Sequence, residues 1–367
     1  MMLRLAVILI VTQCLACNFG TSRDSAQAKA GAPNPIVESA TTAPEELKHM
    51  QLLDIEHWFA SDSFKLWKSD NGGRSWTVSY SATHEDNVRQ CVRGVSFVSY
   101  QIGFLVDRDR LMRTDNAGNN WAEIGTIRDN GGEYFIQALC FVDSLHGWAA
   151  GSKLGTSIDA SPYVGAVLCT VNGGRTWVRQ TVSAPRRIAG TGTRWSLKDL
   201  LFMNDKLGWA VGDDVIFWTD NGGEKWWLAT VNSGGYPSDY NRVRFLDELH
   251  GWSTARDTKE FFVTDDGGRH WERRNGPGQF LGPSAEVAFV NPRRGFAINR
   301  FLYETDDSGK SWKRVRNNDP DNGAEYLGID RARDSSVIAF GLEANGMVTL
   351  VSSDGGGTWR KRIDLRK

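Results

Sequence analysis

Ser69-Asp70-Asn71-Gly72-Gly73-Arg74-Ser75-Trp76 is the stretch from which the fold is read. Six more copies of this phrase follow, at 114–121, 170–177, 219–226, 264–271, 305–312 and 352–359. Position one is always Ser or Thr, position five always Gly and position eight always Trp. Position three is Asn71, Asn116, Asn172, Asn221, Asp266, Asp307 or Asp354. A short hydroxyl and a short amide or carboxylate both bond turn backbone, and the Gly supplies the freedom a tight reversal needs. The Trp then opens a strand with a large apolar surface suited to burial between neighbouring units. These tryptophans (Trp76, Trp121, Trp177, Trp226, Trp271, Trp312 and Trp359) stand 41 to 56 residues apart. Such a period marks a solenoid or propeller.

Working outward, a second phrase precedes most copies. Its clearest form is Phe141-Val142-Asp143-Ser144-Leu145-His146-Gly147-Trp148-Ala149-Ala150-Gly151, echoed at 97–106, 202–212, 245–254 and 289–298. It reads as a short apolar strand, a turn closed by Gly and a second strand opening on Trp or Phe. A third strand runs into the repeat turn (167–170, 215–219, 261–264) and the Trp begins a fourth. Four short strands per unit, seven units and no helical periodicity predict an all-β fold: a seven-bladed β-propeller with the repeat turn in each blade. The first blade must take its inner strand from about His49 to Leu53, and the last writes Gly328 to Gly341 without the Gly-Trp pair.

The eight-residue phrase resembles the Asp-box, or bacterial neuraminidase repeat, over about residues 47–367. Joined to the Phe-x-Asp…Gly-Trp phrase, it is similar to the photosystem II assembly and stability factor family. That resemblance implies a non-catalytic propeller that binds or assembles a protein or an envelope polymer. The Asp-box alone is shared with sialidases, which implies the alternative of a glycoside hydrolase working through Glu286, Glu325 and Tyr326. Against it, the Phe-Arg-Ile-Pro phrase of sialidases is absent, and sialidases close with one blade fewer.

Residues 1–17 read as an export signal: Arg4 starts it, and Leu5 to Val11 form an apolar run too short to span a bilayer. Cys14-Leu15-Ala16-Cys17 resembles a bacterial lipobox, making Cys17 the lipidation candidate, with an ordinary signal peptide as the alternative. Residues 18–46, rich in Ala, Ser, Thr, Gly and Pro, have the make-up of a flexible tether. The expectation is an exported monomer in the cell envelope or periplasm, held to a membrane by its lipid alone. A net charge of −1 offers no global field for nucleic acid. Cys91, Cys140 and Cys169 show no metal spacing and are expected as buried thiols.

The linkers between blades share a face with the turns between strands two and three; the repeat turns lie on the opposite face. The linker at 179–197 is the longest and carries Arg186, Arg187, Arg194 and Trp195. With Tyr240 and Arg242 nearby, cations interleaved with aromatics suit a carboxylate-bearing partner, either peptide or anionic sugar. No metal site and no cofactor are expected. The histidines are scattered, the acidic stretch 319–325 departs from a calcium loop, and no phosphate-cradling loop is present.

Overall fold

The structure is a computed structural model. It describes residues 49–363 apart from 63, 83–91, 130–131, 154–163, 184–194, 233–237, 257, 279–285, 300, 316–324, 333–334 and 344–345. The leader, the tether, Cys17 and Cys91 lie outside the described residues. Seven antiparallel sheets each keep their four main strands in chain order, first to fourth. Blades 1 to 7 run His49–Ser81, Val92–Thr126, Tyr134–Gln180, Leu197–Leu228, Tyr240–Asn275, Glu286–Arg314 and Glu325–Ile363. This is the seven-bladed propeller expected from the repeat.

Blade 1 draws all four strands from one end of the ring and blade 7 all four from the other, so no strand is exchanged to close it. Closure rests on side chains: Leu52, Trp58, Ala60 and Trp76 of blade 1 form one cluster with Ala332, Ile338 and Val351 of blade 7.

The repeat turn is made the same way in every blade. The position-one hydroxyl is buried and accepts the amide of the position-five Gly at 2.7–3.0 Å. It also donates to Oδ1 of position three at 2.7–3.0 Å. That Oδ1 in turn accepts the position-seven amide at 2.9–3.1 Å. Only one oxygen of position three is required, which is why Asn and Asp interchange there. The Gly is required twice over. Gly268 has φ +83°, and a Cβ on it would come within 2.5 Å of Trp209 in the preceding blade.

The seams between blades follow from the second phrase. The aromatic after its Gly (in blade 1, Phe59 after Trp58) stacks on the Phe that ends strand one of the next blade, and that blade's repeat Trp meets the same Phe edge-on. The sets are Phe59/Phe97/Trp121, Phe104/Phe141/Trp177, Trp148/Phe202/Trp226 and Trp209/Phe245/Trp271. Their stacked distances are 3.5–3.7 Å and their edge-on distances 5.8–6.2 Å. Both geometries suit the aromatic quadrupole. The Phe also lies over the Gly of its own blade: a Cβ on Gly147 would fall 2.5 Å from Phe141. The two letters therefore occur together for steric reasons.

One linker departs from expectation. Residues 229–241 are placed by the sequence on the linker face, yet Thr230–Asn232 forms a fifth strand parallel to His270–Asn275, on the outer edge of blade 5. The chain must travel from the outer strand of blade 4 to the inner strand of blade 5. On the way, it satisfies backbone groups that an edge strand leaves open. Cys169 is buried. Cys140 is half-buried and takes the Phe202 amide on its Sγ at 3.3 Å.

Candidate functional site

The first strands of blades 1–5 and 7 line a central cavity of about 730 Å³. Its walls carry six cations (Arg93, Lys198, Arg242, Arg244, Arg256 and Arg331) against two carboxylates, Asp199 and Asp330. Arg93, Lys198 and Arg242 stand near the starts of their strands, at the mouth facing the linkers; Arg244 and Arg331 stand near strand ends. On the inner strand of blade 5 positions alternate, with Arg242 and Arg244 at the cavity and Val243 buried between blades, whereas in blades 4 and 7 consecutive residues, Lys198 with Asp199 and Asp330 with Arg331, line it.

Several of these charges are fixed by neighbours. Arg242 Nη1 donates to Glu286 Oε2 of the next blade at 3.0 Å. Glu286, assisted by Asp330 and Asp199, lifts the Arg242 pKa against the opposing effect of burial. Arg244 Nη1 donates to Asp199 Oδ2 at 2.9 Å, and the other side of that carboxylate oxygen takes the Val243 amide at 2.9 Å. Lys198 is held by Asp213 at 2.6 Å and by Asp239, which also lies 3.7 Å from Arg256. Arg93 stacks over Phe135 at 3.9 Å. These pairings cross the seams between blades 4, 5 and 6, so they brace the ring while leaving the cavity richer in cations than in carboxylates.

The residues expected from sequence divide three ways. Arg186, Arg187 and Arg194 lie outside the described residues. Arg242 lines the cavity. Trp195 and Tyr240, expected on an exposed binding face, are instead 3% and 2% exposed. Trp195 packs over Gly165 of blade 3, where a Cβ would come within 2.2 Å of its ring. Tyr240 meets Phe262 edge-on at 5.0 Å. Both stand at or just before the start of a first strand, where a large ring fills the wedge between diverging blades. Arg93, Lys198, Asp199, Arg244 and Arg331 are absent from the sequence expectation. Arg93 and Lys198 stand four residues before the strand-ending Phe, Asp199 three and Arg244 one, while Arg331 takes the place of that Phe, so no single offset marks them.

For the hydrolase alternative, Glu286 is engaged by Arg242, while Glu325 and Tyr326 pair with Leu342 and Gly341 across strands one and two of blade 7. Among the described residues, no group of three His, Cys, Asp or Glu could hold a metal ion. The carboxylates of the repeat turns are satisfied within their own turns. Ser311 Oγ donates to Asp307 Oδ2 at 2.6 Å, and the hydroxyl and amide of Ser311 hold Asp307 well below the ordinary carboxylate pKa. No helix among the described residues is long and apolar enough to cross a membrane.

No family model and no curated protein matches the sequence. Solved structures do match by shape. A structure of YCF48 bound to a D1 peptide aligns with TM-score 0.52 and 16% identity, over 89% of each chain. YCF48 from Cyanidioschyzon merolae aligns with TM-score 0.55 and 18% identity, over 85% of this chain and 95% of that one. A streptogramin B lyase reaches the same TM-score of 0.55 at 9% identity, over 86% and 97%. A binding propeller and a lyase fit this backbone equally well, so the likeness establishes the fold, and function must be argued from the cavity.

Proposed function

We propose that this chain is an exported, lipid-tethered propeller of the Asp-box type that binds a protein partner and performs no catalysis. The partner presents carboxylates to the linker-side mouth of the central cavity. The observation that carries this reading is the lining itself: six cations against two carboxylates, with guanidinium groups suited to paired hydrogen bonds with a carboxylate. The peptide bound to the similarly folded YCF48 supports a protein as the partner. The absence of an open carboxylate at Glu286 weighs against hydrolysis.

The test is a pull-down from the host's envelope proteins with the wild-type chain and with Arg93→Glu/Arg256→Glu, both on the linker side of the cavity. A glycoside panel, including sialosides and glucans, is run in parallel. The expected result is a partner retained by wild type, lost in the variant and released by salt, with a silent panel. Turnover of a glycoside that disappears in Glu286→Gln or Glu325→Gln would overturn the reading. Export and lipidation are checked separately: Cys17→Ser is expected to move the protein from the membrane to the soluble envelope fraction.

A further inference from the structure

The inner strands carry an irregularity that recurs at one place. In Val92–Phe97, Tyr134–Phe141, Leu197–Phe202 and Tyr240–Phe245, one residue has no opposite number on the second strand: Arg93, Gln137, Lys198 and Asn241. Each is a β-bulge, and each stands four residues before the Phe that ends its strand. Blade 7 has the same extra residue at Leu327. In blades 3 and 4 the bulge brings the carbonyl two residues before it against the second strand. A Cβ on Gly151 or Gly212 would fall 2.0 Å from the oxygen of Phe135 or Ser196. This accounts for the Gly that closes the second phrase in these two blades.

A bulge re-aims a side chain. Here it lets consecutive residues, Lys198 with Asp199 and Asn241 with Arg242, both reach the cavity, and all four bulged residues line it. The two cations among them already have partners: Asp213 and Asp239 hold Lys198, and Arg93 lies over Phe135. The two amides are half-buried and tied at one end only. Gln137 Nε2 donates to Ser196 Oγ at 2.5 Å, while its Oε1 bonds no described residue. Asn241 Oδ1 accepts the Thr254 hydroxyl at 2.8 Å, while its Nδ2 bonds no described residue. The linker-side mouth therefore presents a neutral acceptor from blade 3 and a neutral donor from blade 5, on either flank of Lys198 in blade 4.

We propose that Gln137 and Asn241 read the main chain of a bound acidic peptide, Gln137 accepting a backbone N–H and Asn241 donating to a backbone C=O. This rests on the reading that a carboxylate-bearing protein segment enters this mouth. A trans peptide unit offers one donor and one acceptor pointing opposite ways, which suits an acceptor and a donor on opposite flanks of the same site. Charge alone attracts any polyanion, whereas main-chain bonds add affinity for a peptide whatever its side chains. Half-burial strengthens such bonds, because the local dielectric is lower than in water.

The full chain is titrated, by anisotropy, against fluorescein-labelled hexaglutamate and against the same peptide with every amide nitrogen methylated. Wild type is expected to bind hexaglutamate, Gln137→Ala and Asn241→Ala each about three-fold more weakly, and the double variant about ten-fold. The methylated peptide has the same charge and no N–H, so Gln137→Ala is expected to cost nothing against it. Thermal melts confirm that the variants fold; should the double variant not, the single variants carry the test. A double variant that binds as wild type does, while Arg93→Glu/Arg256→Glu loses the peptide, would overturn this inference and leave the carboxylate reading standing. An equal loss from Gln137→Ala on both peptides would overturn it too. Hexaglutamate held equally by wild type and by the charge variant would overturn both. Polygalacturonate bound in place of hexaglutamate would overturn the inference and assign the mouth to an anionic sugar. A wild-type chain that binds neither would also overturn it, and the pull-down then decides the partner reading separately.

Discussion

The ring is built in two styles. Its first four seams, from blade 1 through blade 5, each hold a complete aromatic set, and the repeat turns of blades 1–4 carry Asn at position three. Across the first three seams the inner strands are joined by neutral bonds, such as Gln51 Oε1 accepting the Phe97 amide at 2.9 Å and Ser96 Oγ accepting that of Phe141 at 2.8 Å; the fourth already carries charge, with Arg244 on Asp199 at 2.9 Å. Past blade 5 the style changes. Trp252 and Phe289 are tilted at 5.5 Å, Arg331 stands where the strand-ending Phe belongs, and the closing seam has Ile338 and Leu52 beside Trp76. The turns there carry Asp, and the inner strands contribute Arg242, Glu286, Asp330 and Arg331. The same backbone is thus held by apolar stacking in one arc and by mixed packing with charge in the other. The charged arc adds Asp330 and Arg331 to the cavity, whereas Arg93, Lys198 and Asp199 come from the arc of stacked seams.

Removing one repeat Trp from each arc separates the two styles of packing. Trp226 is 8% exposed and sits edge-on to Phe202, so Trp226→Ala is expected to cost about 3–5 kcal/mol, as large aromatic truncations do. Trp312 is only half-buried and lacks a stacked pair above it. Trp312→Ala is expected to cost roughly half as much. Urea midpoints at constant slope read the difference; equal losses would show that the two arcs pack alike.

A second contrast uses glycine. Gly268→Ala would place a methyl against Trp209 and is expected to cost about 2–4 kcal/mol from strain and displaced packing. Gly355 also has positive φ, at +66°, but a Cβ there meets nothing nearer than Val290 at 3.9 Å. Gly355→Ala is expected to cost only the backbone preference, about 1–2 kcal/mol. Matching losses would mean that the fold needs the dihedral alone and not the close approach.

Most of this architecture is legible in the chain, and the site far less so. The repeat turn declares itself because each of its letters has one steric or hydrogen-bonding duty, repeated seven times. The Phe–Gly pair is legible for the same reason. Trp195 and Tyr240 mislead because an aromatic beside arginines in a long linker reads like a binding surface, and only three-dimensional packing shows it filling a wedge. Asp199 and Arg244 are hard to read for the opposite reason. They occupy positions where other blades have unremarkable residues, so their meaning appears only when six inner strands are gathered around one cavity.

The smallest expected effect concerns acid. Asp307 in its turn is held below its ordinary pKa of 3.8 by Ser311, and Asp354 likewise by Thr358. For Asp266, partial burial opposes the shift but bonds from His270 and Thr264 outweigh it. A carboxylate whose pKa is depressed by folding contributes stability that is fully present above its unfolded value. That contribution is lost as pH falls through the folded value. The loss therefore begins below about pH 4 and falls on blades 5–7, since the Asn turns of blades 1–4 do not titrate. Asp54 and Asp143 are also depressed, held by their own turn amides and by His57 and His146, so blades 1 and 3 retain an acid response of their own. Asp266→Asn/Asp307→Asn/Asp354→Asn is expected to keep the fold at pH 7, because Oδ1 alone makes the required bonds. It is also expected to flatten the fall in urea midpoint between pH 4 and pH 2 without abolishing it. Hydrogen exchange resolved by blade decides the matter: the variant must slow acid-induced exchange in blades 5–7 and leave blades 1–4 unchanged. An equal change around the ring would show that the two arcs respond to acid as a single unit.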